Sequence, residues 1–162
     1  MLKIDENTLV HNTKGAFTLK EAIAQIKTYI TEDPEAQYEI SIGSDSMTRA
    51  STTFVFAITV HRLHRGGIFF YRRLEHDKIT DLRYKLEQET QISLDVADLI
   101  TKEFPEEDYS NIIWSVHLDI GKSGPTRNLI QELEGWVTAS GYNCEIKPDS
   151  YAASYIADKY SK

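Results

Sequence analysis

The sequence predicts an α/β fold built around a mixed β-sheet. Three segments rich in β-branched and aromatic residues follow one another closely, which predicts antiparallel strands joined by short turns. Helical and strand patterns then alternate, which is typical of parallel strands joined by right-handed crossovers. The 162 residues fit one domain and contain no repeat, low-complexity stretch or linker. We therefore expect helices on both faces of one sheet.

The first predicted helix begins near Leu19. Residues 1 to about 16 show no clear pattern, and Thr18-Leu19-Lys20-Glu21 is a capping box, whose hydroxyl and carboxylate satisfy free backbone donors at a helix start. Apolar residues then share one helical face until Asp33-Pro34, where the proline disfavours helical conformation in the residue before it. We expect residues 1–37 to form an N-terminal helical extension that packs on a core of residues 38–162.

The three strand candidates of the first half run from Tyr38 to Asp45, from Thr52 to Arg62 and from Ile68 to Leu74. The apolar run Phe54 to Val60 in the second is typical of a strand that is covered on both faces. The glycines of His64-Arg65-Gly66-Gly67 permit a tight turn, so the second and third strands are expected to form a hairpin.

In the second half of the sequence, segments with the helical period of apolar residues alternate with segments that have the strand pattern. The expected elements are a helix over residues 80–104, a strand over 111–120, a helix from Gly124-Pro125 to Gly141, a strand over 142–147 and a final helix after Asp149. Proline is tolerated in the first turn of a helix, and glycine commonly ends one, which sets the limits of the third helix.

The composition excludes several classes of protein. Hydrophobic residues make up 41% and charged residues 27%, as in ordinary soluble domains. Cys144 is the only cysteine, which excludes an internal disulfide and a cysteine-based zinc cluster and fits a reducing, cytoplasmic location. The N-terminal segment lacks the apolar core of a signal peptide, and no run approaches the roughly 20 apolar residues that span a bilayer. We expect no membrane association.

The formal net charge of −7 argues against a broadly basic surface that holds nucleic acid. A metal-dependent nuclease, however, concentrates carboxylates in its site, and bound cations reverse the local sign. A local basic strip is still needed, and four basic residues near predicted strand ends are candidates for contacting substrate phosphates. They are Arg49, Lys122, Arg127 and Lys147.

Two aspartates lie where predicted strands finish. Asp45 ends the first strand in Gly43-Ser44-Asp45-Ser46, and Asp119 lies near the end of the fourth in His117-Leu118-Asp119-Ile120-Gly121. In sheets of this construction, ligands bind outside the carboxyl ends of the parallel strands, so the two carboxylates converge if these strands are neighbours. Each aspartate alone is explained equally well as a turn residue that accepts hydrogen bonds from nearby backbone donors.

Two further acids complete the candidate set. Glu89 falls on the helix face that should meet the sheet, and a buried carboxylate is unfavourable unless it is paired, hydrogen-bonded or bound to metal. Arg83 and Lys85 lie within about one turn and are alternative partners. Asp149, in Lys147-Pro148-Asp149-Ser150, precedes a helix, where an aspartate most often serves as an N-cap.

Asp45, Glu89, Asp119 and Asp149 together could hold two hard cations, Mg²⁺ or Mn²⁺, through oxygen ligands. Two cations roughly 3.5 to 4 Å apart can activate a water on one side of a phosphodiester and stabilise the leaving oxygen on the other. The four acids therefore predict hydrolytic phosphodiester cleavage. The sequence contains no phosphate-binding glycine loop, dinucleotide fingerprint or His-Glu-x-x-His zinc signature.

Five motifs carry a family resemblance. They are Gly43-Ser44-Asp45-Ser46, His61-Arg62, Glu89 with Ser93-Leu94, His117 to Gly121, and the distinctive Lys147-Pro148-Asp149-Ser150-Tyr151-Ala152-Ala153-Ser154 with Ala157-Asp158-Lys159. Over about residues 38–162 the chain resembles the YkuK-type family of the ribonuclease H-like superfamily, whose members are predicted nucleases. The resemblance implies a five-stranded mixed sheet in spatial order 3-2-1-4-5, with Asp45 and Asp119 on adjacent central strands. The resemblance also matches Glu89 to the acid that the family carries on a helix, and Asp149 to the family's acid before the final helix.

The expected function is that of a metal-dependent nuclease that cleaves RNA, DNA or a hybrid by a two-metal mechanism. Fold analogy does not fix the activity, and the acidic charge and missing basic insertion favour an alternative, a nucleic-acid or protein binding module without turnover. A third hypothesis is a phosphohydrolase that acts on small nucleotides. A small substrate suits a negatively charged protein better than a nucleic-acid polymer does.

Overall fold

The computed structural model describes residues 3–121 and 127–147, together with Ile156 and Tyr160. In chain order, its elements are strands β1 (Leu9–Asn12) and β2 (Gly15–Thr18), helix α1 (Leu19–Thr31), strands β3 (Tyr38–Thr48), β4 (Thr52–Arg62) and β5 (Gly67–His76), helix α2 (Leu82–Thr101), strand β6 (Ile112–His117), helix α3 (Arg127–Ala139) and strand β7 (Asn143–Glu145). No helix within these residues is long and apolar enough to cross a membrane.

The strands form one mixed sheet in the order β2-β1-β5-β4-β3-β6-β7. The strands β3, β4 and β5 pair antiparallel, whereas β6 pairs parallel with both β3 and β7. The five strands expected from the sequence are β3 to β7, and they adopt the spatial order 3-2-1-4-5. The α/β class with a mixed sheet is confirmed, but the number of strands was wrong, because the sheet has seven strands rather than five.

The two additional strands come from the N-terminal extension, which is therefore helical only in α1. Strands β1 and β2 form a hairpin that pairs Leu9 with Thr18, and β1 joins the sheet where His11 lies beside Tyr71 of β5. Each strand has four residues, and of these eight only Val10 is buried, so the sequence shows almost no alternation. The domain boundary at residue 37 stays a prediction.

Helix α1 begins at the predicted capping box. Thr18 Oγ1 accepts a hydrogen bond from the backbone N–H of Glu21 at 3.1 Å, and Glu21 Oε1 accepts one from the backbone N–H of Thr18 at 2.9 Å. The apolar residues of α1, α2 and α3 then pack on one face of the sheet, against β3 and β4 residues such as Ile40, Ile42 and Phe56. This layer contains most of the buried apolar residues and holds α2 against β3.

The opposite face of the sheet carries a smaller apolar cluster. Val55 and Ala57 of β4 are fully buried there, and Ile156 packs against this cluster. The ring of Tyr160 stacks on Tyr71, with the ring centroids 3.8 Å apart. Residues near the C-terminus thus return to β4 and β5, which accounts for the apolar run in β4. The predicted start of the third helix at Gly124-Pro125 and most of the predicted final helix lie outside the described residues.

Candidate active site

The register between β3 and β6 brings two of the predicted acids to the same edge of the sheet, the one where the parallel pairing of these two central strands ends. The last parallel pair joins Gly43 to His117, and Asp45 and Asp119 each lie two residues beyond it. Asp119 follows the end of β6, as expected. Asp45 does not end its strand, because β3 continues to Thr48 by pairing with β4, where Asp45 lies opposite Val55. The backbone N–H of Ser46 donates to Asp45 Oδ1 at 2.9 Å.

Glu89 projects from α2 towards β3, and its side chain is buried. Ser46 Oγ donates a hydrogen bond to Glu89 Oε2 at 2.5 Å, and Ser44 Oγ lies 2.7 Å from Ser93 Oγ. The two serines share a face of the strand because side chains alternate along β3, and Glu89 and Ser93 share a face of the helix because four residues make about one turn. These two polar contacts therefore fix how α2 docks at the edge of the sheet.

The basic residues considered as alternative partners of Glu89 bond elsewhere. Arg83 Nη1 donates to Glu132 Oε2 of α3 at 2.9 Å, and Lys85 Nζ donates to Thr48 Oγ1 at 3.3 Å. Among the described residues, the hydrogen-bond donor to the Glu89 carboxyl is Ser46. The sequence pattern placed Glu89 on the inward face correctly, but it gave no indication of this partner.

Two neighbouring acids act electrostatically on Glu89. Burial raises the pKa of Glu89 to about 8, and the nearby carboxylates of Asp45 and Asp119 raise this pKa as well. The hydrogen bond from Ser46 and the positive charge of Lys85 act in the opposite direction. In the metal-free protein the Glu89 carboxyl is therefore mostly protonated at pH 7. The charges of Asp45 and Asp119 thus oppose ionisation of Glu89.

Asp119 also contacts a residue that was expected to bind substrate. Lys147 Nζ lies 3.0 Å from Asp119 Oδ1, with 58% of the lysine side chain and 22% of the aspartate side chain exposed. The backbone N–H of Lys147 donates to Ile120 O at 2.9 Å, which holds the end of β7 beside the segment that follows β6. One of the predicted phosphate-binding cations is thus paired with one of the predicted metal ligands.

A narrow cavity with a mixed polar and apolar lining lies between α2, β3 and the residues after β6, and Glu89 and Asp119 line it. His117 also lines this cavity. Its side chain is buried, burial lowers its pKa, and no described residue makes a hydrogen bond to its Nδ1. The sequence does not predict a functional imidazole here, because a histidine at the end of a strand is equally well explained as an ordinary polar residue of the sheet.

The remaining predicted site residues are less defined. Arg49 is exposed in the turn between β3 and β4, and Arg127 is exposed at the start of α3. Asp149 and Lys122 lie outside the described residues. Within residues 3–121 and 127–147, no three His, Cys, Asp or Glu side chains lie close enough together to hold a metal ion. The four-carboxylate metal set and the phosphate contacts stay predictions.

Comparison with known proteins identifies a family over most of the chain. A family model described as ribonuclease H-like matches residues 21–162, a range that includes all of the candidate site residues. A protein of Bacillus subtilis (strain 168) described as "Uncharacterized protein YkuK" is 34% identical over 172 residues, which cover 97% of this chain and 99% of that protein. The family resemblance carried by the sequence motifs is confirmed.

Proposed function

The chain belongs to the ribonuclease H-like family, and from this premise we propose that it is a divalent-metal-dependent nuclease that hydrolyses phosphodiester bonds of RNA, DNA or a hybrid. The observation that supports this proposal is the buried carboxyl of Glu89, whose pKa is raised to about 8 by burial, with the charges of Asp45 and Asp119 contributing. Asp45 and Asp119 lie just beyond the parallel pairing of β3 and β6, and their charges, together with that of ionised Glu89, favour the binding of positive charge.

The proposed ligands of Mg²⁺ or Mn²⁺ are Asp45, Glu89, Asp119 and Asp149. Their carboxylate oxygens suit hard divalent cations, and the repulsion that opposes ionisation of Glu89 is the repulsion that a cation relieves. When bound, two such cations supply a nucleophilic water at neutral pH and stabilise the leaving oxygen of the phosphodiester. The donor set of the chain fits this group in its chemistry.

The contribution of the chain is to orient these acids. Ser46 holds one oxygen of the Glu89 carboxyl at 2.5 Å, and the contact between Ser44 and Ser93 keeps that turn of α2 on β3. These contacts keep the Glu89 carboxyl directed towards the sheet edge when it loses its proton. Arg49, Lys122, Arg127 and Lys147 are the proposed contacts for substrate phosphates, and Lys147 must exchange its bond with Asp119 for one with the substrate.

A cleavage assay with paired variants tests this proposal. The native chain is incubated with single-stranded RNA, single-stranded DNA, duplex DNA and a hybrid duplex, in Mn²⁺, in Mg²⁺ and in EDTA. We expect metal-dependent cleavage that is lost in Asp45→Asn and Glu89→Gln and retained in Glu87→Gln, a neighbouring acid of the same helix. Equal cleavage by the native chain and the first two variants contradicts the proposal.

Two observations favour a second candidate, a nucleic-acid binding module without turnover. Lys147 already neutralises Asp119, and the described residues contain no complete three-ligand metal cluster. A module of this kind binds the same oligonucleotides in EDTA as in Mn²⁺ and cleaves none of them. The assay above therefore separates the two candidates when a gel-shift measurement is run beside it.

A further inference from the structure

A network of two hydroxyl groups, one buried and one half-buried, lies just beyond the candidate acids. Thr48 ends β3, three residues after Asp45, and its Oγ1 lies 2.9 Å from Oγ1 of Thr52, which is fully buried at the start of β4. The backbone N–H of Ile79 donates to Thr52 Oγ1 at 2.8 Å, and Thr48 Oγ1 donates to Ile79 O at 3.1 Å. The network ties the segment before α2 to the turn between β3 and β4.

The directions of these bonds follow from the number of hydrogens. Each hydroxyl has one hydrogen to donate and two lone pairs to accept with. Thr48 uses its hydrogen on Ile79 O, so Thr52 is the donor in the bond between the two threonines. Thr48 then has one lone pair left, and Lys85 Nζ donates to it at 3.3 Å. The ammonium group therefore occupies the last hydrogen-bonding position of the Thr48 hydroxyl.

The bond to Thr48 holds the ammonium group of Lys85 near the acids and does not neutralise its charge. Lys85 is half-buried in the first turn of α2 and forms no ion pair with a carboxylate of the described residues. Its charge nevertheless acts on Glu89, one helical turn further along α2. Arg83, two residues earlier, differs in this respect because it is paired with Glu132. An ammonium has three donors, and the bond to Thr48 accounts for one of them.

We propose that Lys85 binds a phosphate of the nucleic-acid backbone near Glu89, the acid one helical turn further along α2 on which its charge acts. The anchored side chain loses little further rotamer freedom on binding, and its remaining N–H groups suit the non-bridging oxygens of a phosphodiester. Lys85 Nζ lies at the carboxyl end of β3, where it contacts Thr48. This inference rests on the proposed function, since it assumes that the ligand of the site is a nucleic acid.

Binding measured without metal tests the assignment independently of cleavage. The dissociation constants of fluorescently labelled single-stranded DNA and RNA are measured by anisotropy in EDTA over a range of salt concentrations. The proteins are the native chain, Lys85→Gln, Lys85→Arg and, as a control, Lys78→Gln, which changes an exposed lysine just before α2. Thermal unfolding of each variant shows whether it is folded.

We expect Lys85→Gln to weaken binding about tenfold and to reduce the slope of log K against log salt by about 0.7, the value for one phosphate contact on a single strand. Lys85→Arg should restore both quantities, and Lys78→Gln should change neither. A folded Lys85→Gln protein with native affinity and slope overturns the assignment, while metal-dependent cleavage that is lost in Asp45→Asn would leave the nuclease proposal standing. A native chain that neither binds nor cleaves any of these nucleic acids overturns both proposals.

Discussion

Ser46 Oγ donates a 2.5 Å hydrogen bond to Glu89 Oε2, and this bond joins strand β3 to helix α2 at the edge of the sheet where the acids lie. It satisfies one oxygen of a buried carboxyl, and it lowers a pKa that burial and two neighbouring carboxylates raise. Docking of this turn of α2 and ionisation of Glu89 are thus coupled through one contact.

Replacing Ser46 with Ala should raise the pKa of Glu89 further, because the hydrogen bond that favours the ionised form is lost. We expect a loss of about 1–2 kcal/mol in the free energy of unfolding, as for other bonds to a buried acid. We also expect Mn²⁺ binding to require a higher pH. Calorimetric titration of both proteins from pH 6 to pH 9 measures the shift, and superimposable pH profiles would contradict this role of Ser46.

The stability of the metal-free protein should depend on the protonation of Glu89. Its pKa is about 8 in the folded protein against an ordinary value of 4.5, so the folded state binds the proton more tightly than the unfolded state. The stabilisation is complete below about pH 4.5 and is lost as the pH rises towards 8. Glu89→Gln keeps a neutral group at this place, so it should be more stable than the native chain at pH 8.5 and nearly equal to it at pH 5.

Thermal unfolding in EDTA across this pH range measures the difference between the two proteins. Glu87→Gln, a change of the same kind two residues earlier in α2, serves as the control and should follow the native profile. If Glu89→Gln and the native chain keep a constant difference in melting temperature from pH 5 to pH 8.5, Glu89 does not bind a proton over this range and the account of its burial is wrong.

Removing the positive charge of Lys147 should strengthen metal binding. Its ammonium lies 3.0 Å from Asp119 Oδ1, so it competes with any cation for that carboxylate. Because both side chains are partly exposed, we expect Lys147→Gln to tighten Mn²⁺ binding by up to about fivefold, the equivalent of about 1 kcal/mol. Calorimetry provides the measurement. Lys102→Gln, at the far end of α2, should leave the affinity unchanged, and a weaker affinity in Lys147→Gln would be the opposite of this expectation.

The hydroxyl network should also contribute to stability. Thr52→Val keeps the shape of a fully buried side chain but leaves the backbone N–H of Ile79 without its acceptor and Thr48 without one of its donors. We expect a loss of about 1–3 kcal/mol in the free energy of unfolding, measured by urea denaturation. Thr53→Val removes only a hydroxyl that bonds the exposed Glu75, so its loss should be below about 1 kcal/mol. Equal losses in the two variants would contradict the importance of the network.

Much of the site could be predicted from the sequence because strong periodicities determine it. The period of two along β3 puts Ser44 and Ser46 on one face of the strand, and the helical period of α2 puts Glu89 and Ser93 on one face of the helix. The contact between these two faces is visible only in the structure. Asp45 and Asp119, near the expected ends of two strands, indicated the edge of the sheet once the family resemblance made these strands neighbours, although β3 continues three residues beyond Asp45. The inward direction of Glu89 required only the apolar residues around it on α2.

Other features depend on contacts between residues distant in the chain, which no local pattern encodes. The hairpin of β1 and β2 has a single buried residue, Val10, so neither strand shows an alternation. Lys147 and Asp119 pair because β7 lies beside β6, and their sequence separation gives no sign of it. The helical spacing offers Lys85 only as a partner for Glu89, whereas its contact is with Thr48, on a strand that extends beyond its expected end.

The central claim is that Asp45, Glu89 and Asp119 act together on one divalent cation site. Calorimetric titration of the native chain with Mn²⁺, compared with Asp45→Asn and Asp119→Asn, tests this claim most directly. We expect the native chain to bind Mn²⁺ and each variant to lose at least about tenfold in affinity. Binding heats that are the same in all three proteins, or no binding by the native chain, would contradict the claim.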